Sequence, residues 1–488
     1  MSEQSQVQEV TKGAEMTQKT RTLWTFAISS IALFMVTLDN LVVTTAIPVI
    51  RRDLHASLAS LEWTVNAYTL TFAVLLLTGA ALGDRFGRRR LFAIGIGIFT
   101  LGSISAALAP SVEVLNIARA VQGLGGAIVM PLTLTILSAA VPAAKRGLAL
   151  GFWGGISGLA IAFGPLVGGA IVQGISWQWI FWLNVPIGAV LLPLALLRLE
   201  ETYGPEGKLD LPGLGLASAG LFGIVWALVR GNQQGWASGE IVAAFALGAA
   251  LVAAFVAWEL RAESPMLPMR FFRNRTFALA NVASLLMFFG MFGSIFLLSQ
   301  FFQTVQGYSP FGSGLRILPW TLAPIFIAPI AGAMSDKLPA KNIIGVGLAL
   351  QAGGLAWIAA VSMPTTPYSQ LIGPFILAGV GMALFFAPVA NVVLSAVRSD
   401  EEGKASGANN AIRELGGVLG VAVLASIFAH AGGYRTPATF ADGMSTAVYV
   451  GAAVVAVGAF AAFAIPRQRR RQEAALTTTE PAFEAEAA

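Results

Sequence analysis

Fourteen apolar runs, each long enough to cross a bilayer as a helix, take up most of the chain. They lie at about 23–50, 61–82, 91–110, 114–138, 148–172, 179–199, 211–229, 240–259, 276–302, 313–334, 342–362, 369–396, 405–431 and 443–465. About 20 apolar residues in a helix cover the hydrocarbon thickness. Each run joins the next through a short polar turn bearing Gly or Pro. An even number of spans places both ends of the chain on one side. Composition agrees: 56% of the 488 residues are hydrophobic and 11% charged, with mean hydropathy +0.74. Soluble domains carry about 25% charged residues. A soluble chain of this length would split into several cores and need polar surface to cover them. The fold expected is an all-α polytopic membrane protein.

Charge sets the expected orientation. With the N-terminus inside, the inner segments hold 23 of the 30 Lys and Arg residues, and the outer loops only Arg51, Arg52, Arg230 and Arg435. Arg119, Arg316 and Arg413 fall within or at the edge of spans. That asymmetry is a strong positive-inside signal. It also explains the pI near 9.6 without nucleic acid as a partner. The first run is too long for a signal-peptide core and has no convincing cleavage site, so it reads as a retained span. The expected organisation is an N-terminal cytoplasmic tail at 1–22, a six-helix bundle at 23–200, two extra helices with linkers at 201–275, a second bundle at 276–465 and a disordered cytoplasmic tail at 466–488. There is no cysteine, and His55 and His430 lie far apart. Disulfides, thiol catalysis and thiolate metal sites are therefore excluded, and no metal centre is expected.

The two bundles echo each other at one offset. Asp84, after span 2, has its counterpart 252 residues on at Asp336, after span 10. The same offset carries Gly164-Pro-Leu-Val-Gly168 onto Gly416-Gly-Val-Leu-Gly420. Parallel repeats of this kind belong to a transporter architecture with its substrate site between the halves near the midplane.

Several motifs follow. The loop after span 2 reads Gly79-Ala-Ala-Leu-Gly83-Asp84-Arg85-Phe-Gly87-Arg88-Arg89-Arg90. A positive-inside loop would explain its arginines but not Asp84, nor the echo at Asp336-Lys337. Span 4 carries Arg119 inside an apolar run, which is costly and usually functional. A snorkelling arginine near the outer edge is the plainer alternative. Span 5 reads Gly164-Pro165-Leu-Val-Gly168-Gly169. Proline bends a helix and small residues let another helix approach closely, so the residues themselves say only that this helix is bent and tightly packed. Span 1 holds Leu38-Asp39-Asn40-Leu-Val-Val43.

Taken together these motifs resemble the major facilitator superfamily, and within it the fourteen-span drug:proton antiporters. The supporting residues include Trp177-Gln-Trp179-Ile-Phe-Trp-Leu-Asn184-Val-Pro186 and Arg413-Glu414-Leu-Gly416-Gly417. The resemblance covers about residues 22–466, with departures at Leu41, Thr45, Ala80, Ala160 and Glu414. It implies two six-helix bundles plus two central helices, proton-coupled export of small amphipathic or lipophilic molecules, and residence in the cytoplasmic membrane with both termini inside. It implies an inner gate of Gly83, Asp84, Arg85, Gly87, Arg88, Asp336 and Arg413, with Asp84 meeting the start of span 13. It assigns Gly164, Pro165, Gly168 and Gly169 to the antiporter helix signature. No enzyme activity is expected, since no acid, base or metal constellation gathers at a span end. Uptake, export of one dedicated metabolite, or a non-transporting receptor remain the competing readings.

Asp39 is the foremost proton carrier. It lies about 16 residues into span 1, or about 24 Å from the inner end at 1.5 Å per residue. Arg119 also falls in the outer half, so the two could meet. A permanent ion pair locking two helices is the alternative. In the second half the same offset gives Met291 and Leu371, which confines proton chemistry to the first. Glu414 is a candidate second acid. Tyr68, Gln122, Met291, Phe292, Gln300 and Asn391 are candidate substrate contacts, although an aromatic and methionine run such as span 9 is more often packed or lipid-facing. No G-x-x-x-x-G-K-[ST] occurs, so the proton gradient is the expected energy source and no cofactor is expected. The expected working unit is a monomer in the lipid bilayer, with a small molecule and protons as its partners.

Overall fold

The computed structural model describes residues 3–141, 146–204, 210–335, 338–398 and 401–466. Its helices run in the order α1 (Glu3–Asp53), α2 (Leu58–Phe86), α3 (Arg88–Ala107), α4 (Val112–Ala140), α5 (Arg146–Gly174), α6 (Trp179–Trp182), α7 (Asn184–Arg198), α8 (Leu211–Gln234), α9 (Gly239–Glu259), α10 (Arg270–Arg273), α11 (Arg275–Gln300), α12 (Pro310–Thr321), α13 (Ala323–Ser335), α14 (Ala340–Val361), α15 (Ser369–Ser395), α16 (Glu402–Ala431) and α17 (Pro437–Phe463). A π-helical turn, Phe301–Val305, closes α11.

Many of these starts are legible locally. Ser57, Ser111, Ser238, Asp210, Asn274 and Ser309 each accept a hydrogen bond from a backbone N–H in the first turn of the helix that follows. These caps satisfy donors that a helix start leaves open. Thr436 and Thr439 form a reciprocal capping box at α17. Gly87 sits between α2 and α3 at φ 104°, a conformation that side-chain-bearing residues rarely adopt.

Among the described residues twelve helices are long and apolar enough to cross a membrane, or thirteen if the 50° bend in α2 lies within one span. The run expected at 148–172 falls on α5, whose 29 residues reach about 43 Å at 1.5 Å per residue. The residues expected to form a polar N-terminal tail are helical from Glu3 and continue into the first span. Asp336 and residues 467–488 lie outside the described residues.

α1–α7 pack as one bundle and α11–α17 as another. α8 lies along the seam between them, against α2 and α16, and α9 packs on the outside of α8. The outer face of α9 exposes Val242, Leu247 and Val256, as lipid contact requires. The base of this hairpin is tied by Trp258 Nε1 donating to Asp210 (2.7 Å) and by the Leu267 N–H donating to Glu259 (3.0 Å).

Candidate functional site: a buried carboxylate cage and two unequal ends

α1, α3, α4 and α7 converge on Asp39, which is 3% exposed, facing Arg119 at 0%. Arg119 Nη1 pairs with Asp39 Oδ2. The other carboxylate oxygen, Oδ1, accepts from Asn184 Nδ2 at 2.8 Å and from Gln122 Nε2 at 3.2 Å. Those two amides also share Ser103 Oγ, at 3.3 and 2.7 Å. Arg119 donates further to Gln122 Oε1 (3.0 Å) and to the Thr64 carbonyl (3.2 Å). Its guanidinium lies 4.2 Å from the centre of the Tyr68 ring, a cation–π contact that gains strength away from water. Arg119 Nη2 has no partner. A buried ion pair survives only when its remaining valences are satisfied, and here three further polar residues do most of that work.

The structure therefore brings Asp39 and Arg119 together and adds Asn184 and Ser103, which sequence reasoning did not place there. Asn184 stood inside the Trp-rich span-6 motif, the one available signal. Gln122 and Tyr68 belong to this cage: the Gln122 amide is bonded at both ends, and the Tyr68 hydroxyl donates to the Val36 carbonyl (3.1 Å). Neither is a free substrate contact here. Gln300 is likewise engaged, donating to the Phe296 carbonyl (3.1 Å) and accepting from Tyr434. Met291 and Phe292 are buried on α11, and Asn391 is exposed on α15.

Next to Asp39, Asn40 points the other way, toward Glu414 of the second bundle. One Glu414 carboxylate oxygen is buried without a hydrogen bond. Its neighbour Arg413 turns onto aromatic rings, 4.4 Å from Phe288 and 5.2 Å from Phe386, and bonds Asn410 (3.2 Å). The adjacent pair thus faces two ways, as a helix requires.

The two ends of the molecule differ. At the end away from the chain termini the bundles touch through polar contacts. Ser299 donates to the Thr44 carbonyl (3.1 Å) and Gln303 to the Thr45 carbonyl (2.9 Å). Arg51 stacks 3.8 Å from the Tyr434 ring centre. The antiporter-signature residues lie in this seal: Gly164 and Gly168 pack on Leu41 and Thr45 of α1, Gly169 on the Pro310 carbonyl, and Pro165 beneath Gly314 of α12. α5 stays a continuous helix through Pro165.

At the termini end no such hydrogen bond joins the two bundles among the described residues. Asp84, expected to meet the start of α16, is instead paired with Arg88 at 2.8 Å within its own bundle. Arg85 lies exposed over the Phe86 ring. Gly83 packs on Leu132, and a Cβ at Gly87 would lie 2.7 Å from the Glu201 carboxylate. Glu201 is the partner that sequence reasoning missed: it accepts from the Arg89 backbone N–H (2.9 Å) and sits 3.6 Å from the Arg89 and Arg90 guanidinium groups. It caps the start of α3, where Gly87 has no side chain to do so and where an anion is favoured. Among the described residues Asp84 is paired within its own bundle rather than across to α16, and the polar contacts between the bundles lie at the other end.

Comparison with known proteins agrees with this architecture. The family model described as Major Facilitator Superfamily matches residues 29–421 and again 320–485. The chain is 37% identical over 409 residues to Multidrug resistance protein Stp of Mycobacterium tuberculosis (strain CDC 1551 / Oshkosh), across 83% of this chain and 76% of that one. It is 33% identical over 419 residues to the tetracenomycin C resistance and export protein of Streptomyces glaucescens, across 85% of this chain and 77% of that one. In fold it matches the crystal structure of a bacterial homologue of the human lysosomal transporter Spinster with TM-score 0.64 at 18% identity, across 91% of this chain and 96% of that one. With two helical bundles packed against each other and a family match along most of its length, the chain belongs to the Major Facilitator Superfamily.

Proposed function

We propose that this protein is a proton-coupled antiporter. It exports small amphipathic or lipophilic molecules, drugs and antibiotics among them, across the cytoplasmic membrane by alternating access. The observation that carries this reading is the buried Asp39–Arg119 cage within the first bundle. At the repeat-related positions the second bundle has only Met291 and Leu371. The names of the relatives, resistance and export proteins, support the direction.

Protonation of Asp39 removes the charge that holds Arg119 and loosens α1 from α4. The same helix carries Asn40 against Glu414, so a shift of α1 reaches the second bundle, with Glu414 as a second acid. Asp84, Asp336 and Arg413 serve the gate at the termini end. The bundles at 23–200 and 276–465 move against each other, with 201–275 beside the seam. No cofactor takes part. Each entering proton supplies about 2.3 kcal/mol per 100 mV, which at about 1.4 kcal/mol per tenfold sustains roughly a fiftyfold gradient of neutral substrate. The monomer suffices, because both bundles lie in one chain.

Two measurements test this. In everted vesicles carrying the protein, adding a drug that it exports should collapse a preset pH gradient, and vesicles without the protein should hold theirs. A gradient that survives across a drug panel removes the antiport reading. Orientation is tested separately, since the absence of native cysteine makes single-cysteine labelling clean. The charge asymmetry predicts that a cysteine replacing Arg435 reacts with an impermeant maleimide in intact cells and that one replacing Arg85 or Arg470 does not. Labelling at position 470 in intact cells overturns the topology.

A further inference from the structure

We propose that Asn184 is the residue that lets Asp39 change protonation state inside a sealed cage. Its amide donates to the carboxylate and, turned over, accepts from the carboxylic acid. The proposal rests on the reading that Asp39 carries the proton.

The geometry points to Asn184 by elimination. Asp39 Oδ2 faces the Arg119 guanidinium, so an arriving proton settles on Oδ1. There it meets two N–H donors already aimed at the same oxygen, Asn184 Nδ2 at 2.8 Å and Gln122 Nε2 at 3.2 Å. An O–H needs an acceptor, so one of the two amides must present its oxygen. Gln122 is held in place. Its Oε1 accepts from Arg119 Nη1 (3.0 Å) while Nε2 donates to Ser103 Oγ (2.7 Å). Turning it would set an NH2 group against a guanidinium.

Asn184 is not held in this way. Its carbonyl oxygen makes no hydrogen bond among the described residues, and both of its bonds run from Nδ2, to Asp39 and to Ser103. A half-turn of its amide puts that oxygen between the Asp39 O–H and the Ser103 hydroxyl. Both can then donate to it, and Ser103 still accepts from Gln122. The turn leaves the Asn184 NH2 group where its oxygen stood, so in each state one end of the amide is without a hydrogen bond among the described residues. Asn184 is only 1% exposed, and a polar group left unserved in such a site is costly. The backbone is well placed for it: Asn184 opens α7, two residues before Pro186. The titratable and charged groups around Asp39 are Arg119 and Tyr68, with Glu414 of the second bundle beyond them, against Asn40. α3 and α7 contribute only Ser103 and Asn184.

The test needs no substrate. The pH titration of the protonated-carboxyl infrared band is followed in the purified full-length protein, the Asp39 band being the one that Asp39→Asn removes. A hydrogen bond to a charged group is worth roughly twice one to a neutral group, so losing Asn184 costs the carboxylate more than the acid. Asn184→Leu should therefore move the midpoint of this band up by about half to one pH unit. Asn184→Ala, which leaves room rather than bulk, should move it in the same direction and stands in if the leucine variant does not fold. A midpoint that stays in place in a folded variant overturns the proposal. So does an upward shift beyond about 1.5 pH units, which would mean that Asn184 serves the carboxylate alone. If Asp39→Asn removes no band at any pH, the carrier reading itself fails, an outcome visible before any Asn184 variant is measured.

Discussion

Asp39→Asn is expected to abolish proton-driven export while leaving energy-independent exchange of substrate at least partly intact. Asparagine keeps the shape of the side chain and loses only the titration. The cage is built to tolerate that loss. Arg119 keeps the Thr64 carbonyl at 3.2 Å, Gln122 Oε1 at 3.0 Å and the Tyr68 ring at 4.2 Å, so it is not left without partners. Uphill uptake into everted vesicles and substrate counterflow, measured on the same preparation, separate the two activities. A static pair predicts a different pattern. If Asp39 and Arg119 only lock α1 to α4, either single variant buries an unpaired charge at a cost on the order of 3–5 kcal/mol, and expression falls. Under that reading Asp39→Asn combined with Arg119→Gln restores both folding and transport. Proton-coupled export in that double variant would sink the carrier role of Asp39.

Gly314→Val should stop transport by wedging apart the end that is closed here. A Cβ at Gly314 would lie 2.8 Å from the Pro165 carbonyl carbon and 3.0 Å from Leu166 Cα. Both are backbone atoms of the facing helix and have no rotamer to yield. Gly169 meets the Pro310 backbone in the same manner, at 2.7 Å from its carbonyl carbon. Overpacking a tight contact costs about 1–3 kcal/mol, which is roughly tenfold to a hundredfold in the balance between closed and open forms. A cysteine replacing the buried Thr45, behind this seal, should then react at least about tenfold faster with an impermeant maleimide in the Gly314→Val background. Transport should fall to background because the cycle cannot pass through the closed form. Unchanged labelling together with normal export would show that the α5–α12 contact is not a gate.

How much of this was legible in the sequence depends on the range over which each property is set. Hydropathy and the 3.6-residue period are local, so the spans could be marked out from short windows. The capped starts at Ser111, Ser309 and Thr436 are local as well. The count of spans was not: among the described residues twelve helices, or thirteen with the bend in α2 inside one span, are long and apolar enough to cross a membrane, where fourteen runs were read. Asp39 and Arg119 stood out because a charge in an apolar run is rare. Asn184 and Ser103 did not, since neutral polar residues are common in such helices. Gln122 and Gln300 read as free polar groups only while their neighbours were unknown.

Alone, the sequence determined that this is a helical membrane protein with a duplicated organisation, and that one acid and one cation lie deep in its first half. It could do so because lipid forces backbone bonding into each helix and makes every buried charge conspicuous. The tertiary structure alone decided which atoms complete the Asp39 cage, from residues 64 to 145 positions away. It placed Glu201, rather than a residue of the gate loop, at the start of α3. It also decided which end is sealed, so that Asp84 pairs with Arg88 and Gly169 meets Pro310. Those outcomes follow from how helices cross and which bundle face meets which, a matter of side-chain packing between elements distant in sequence that no local pattern encodes.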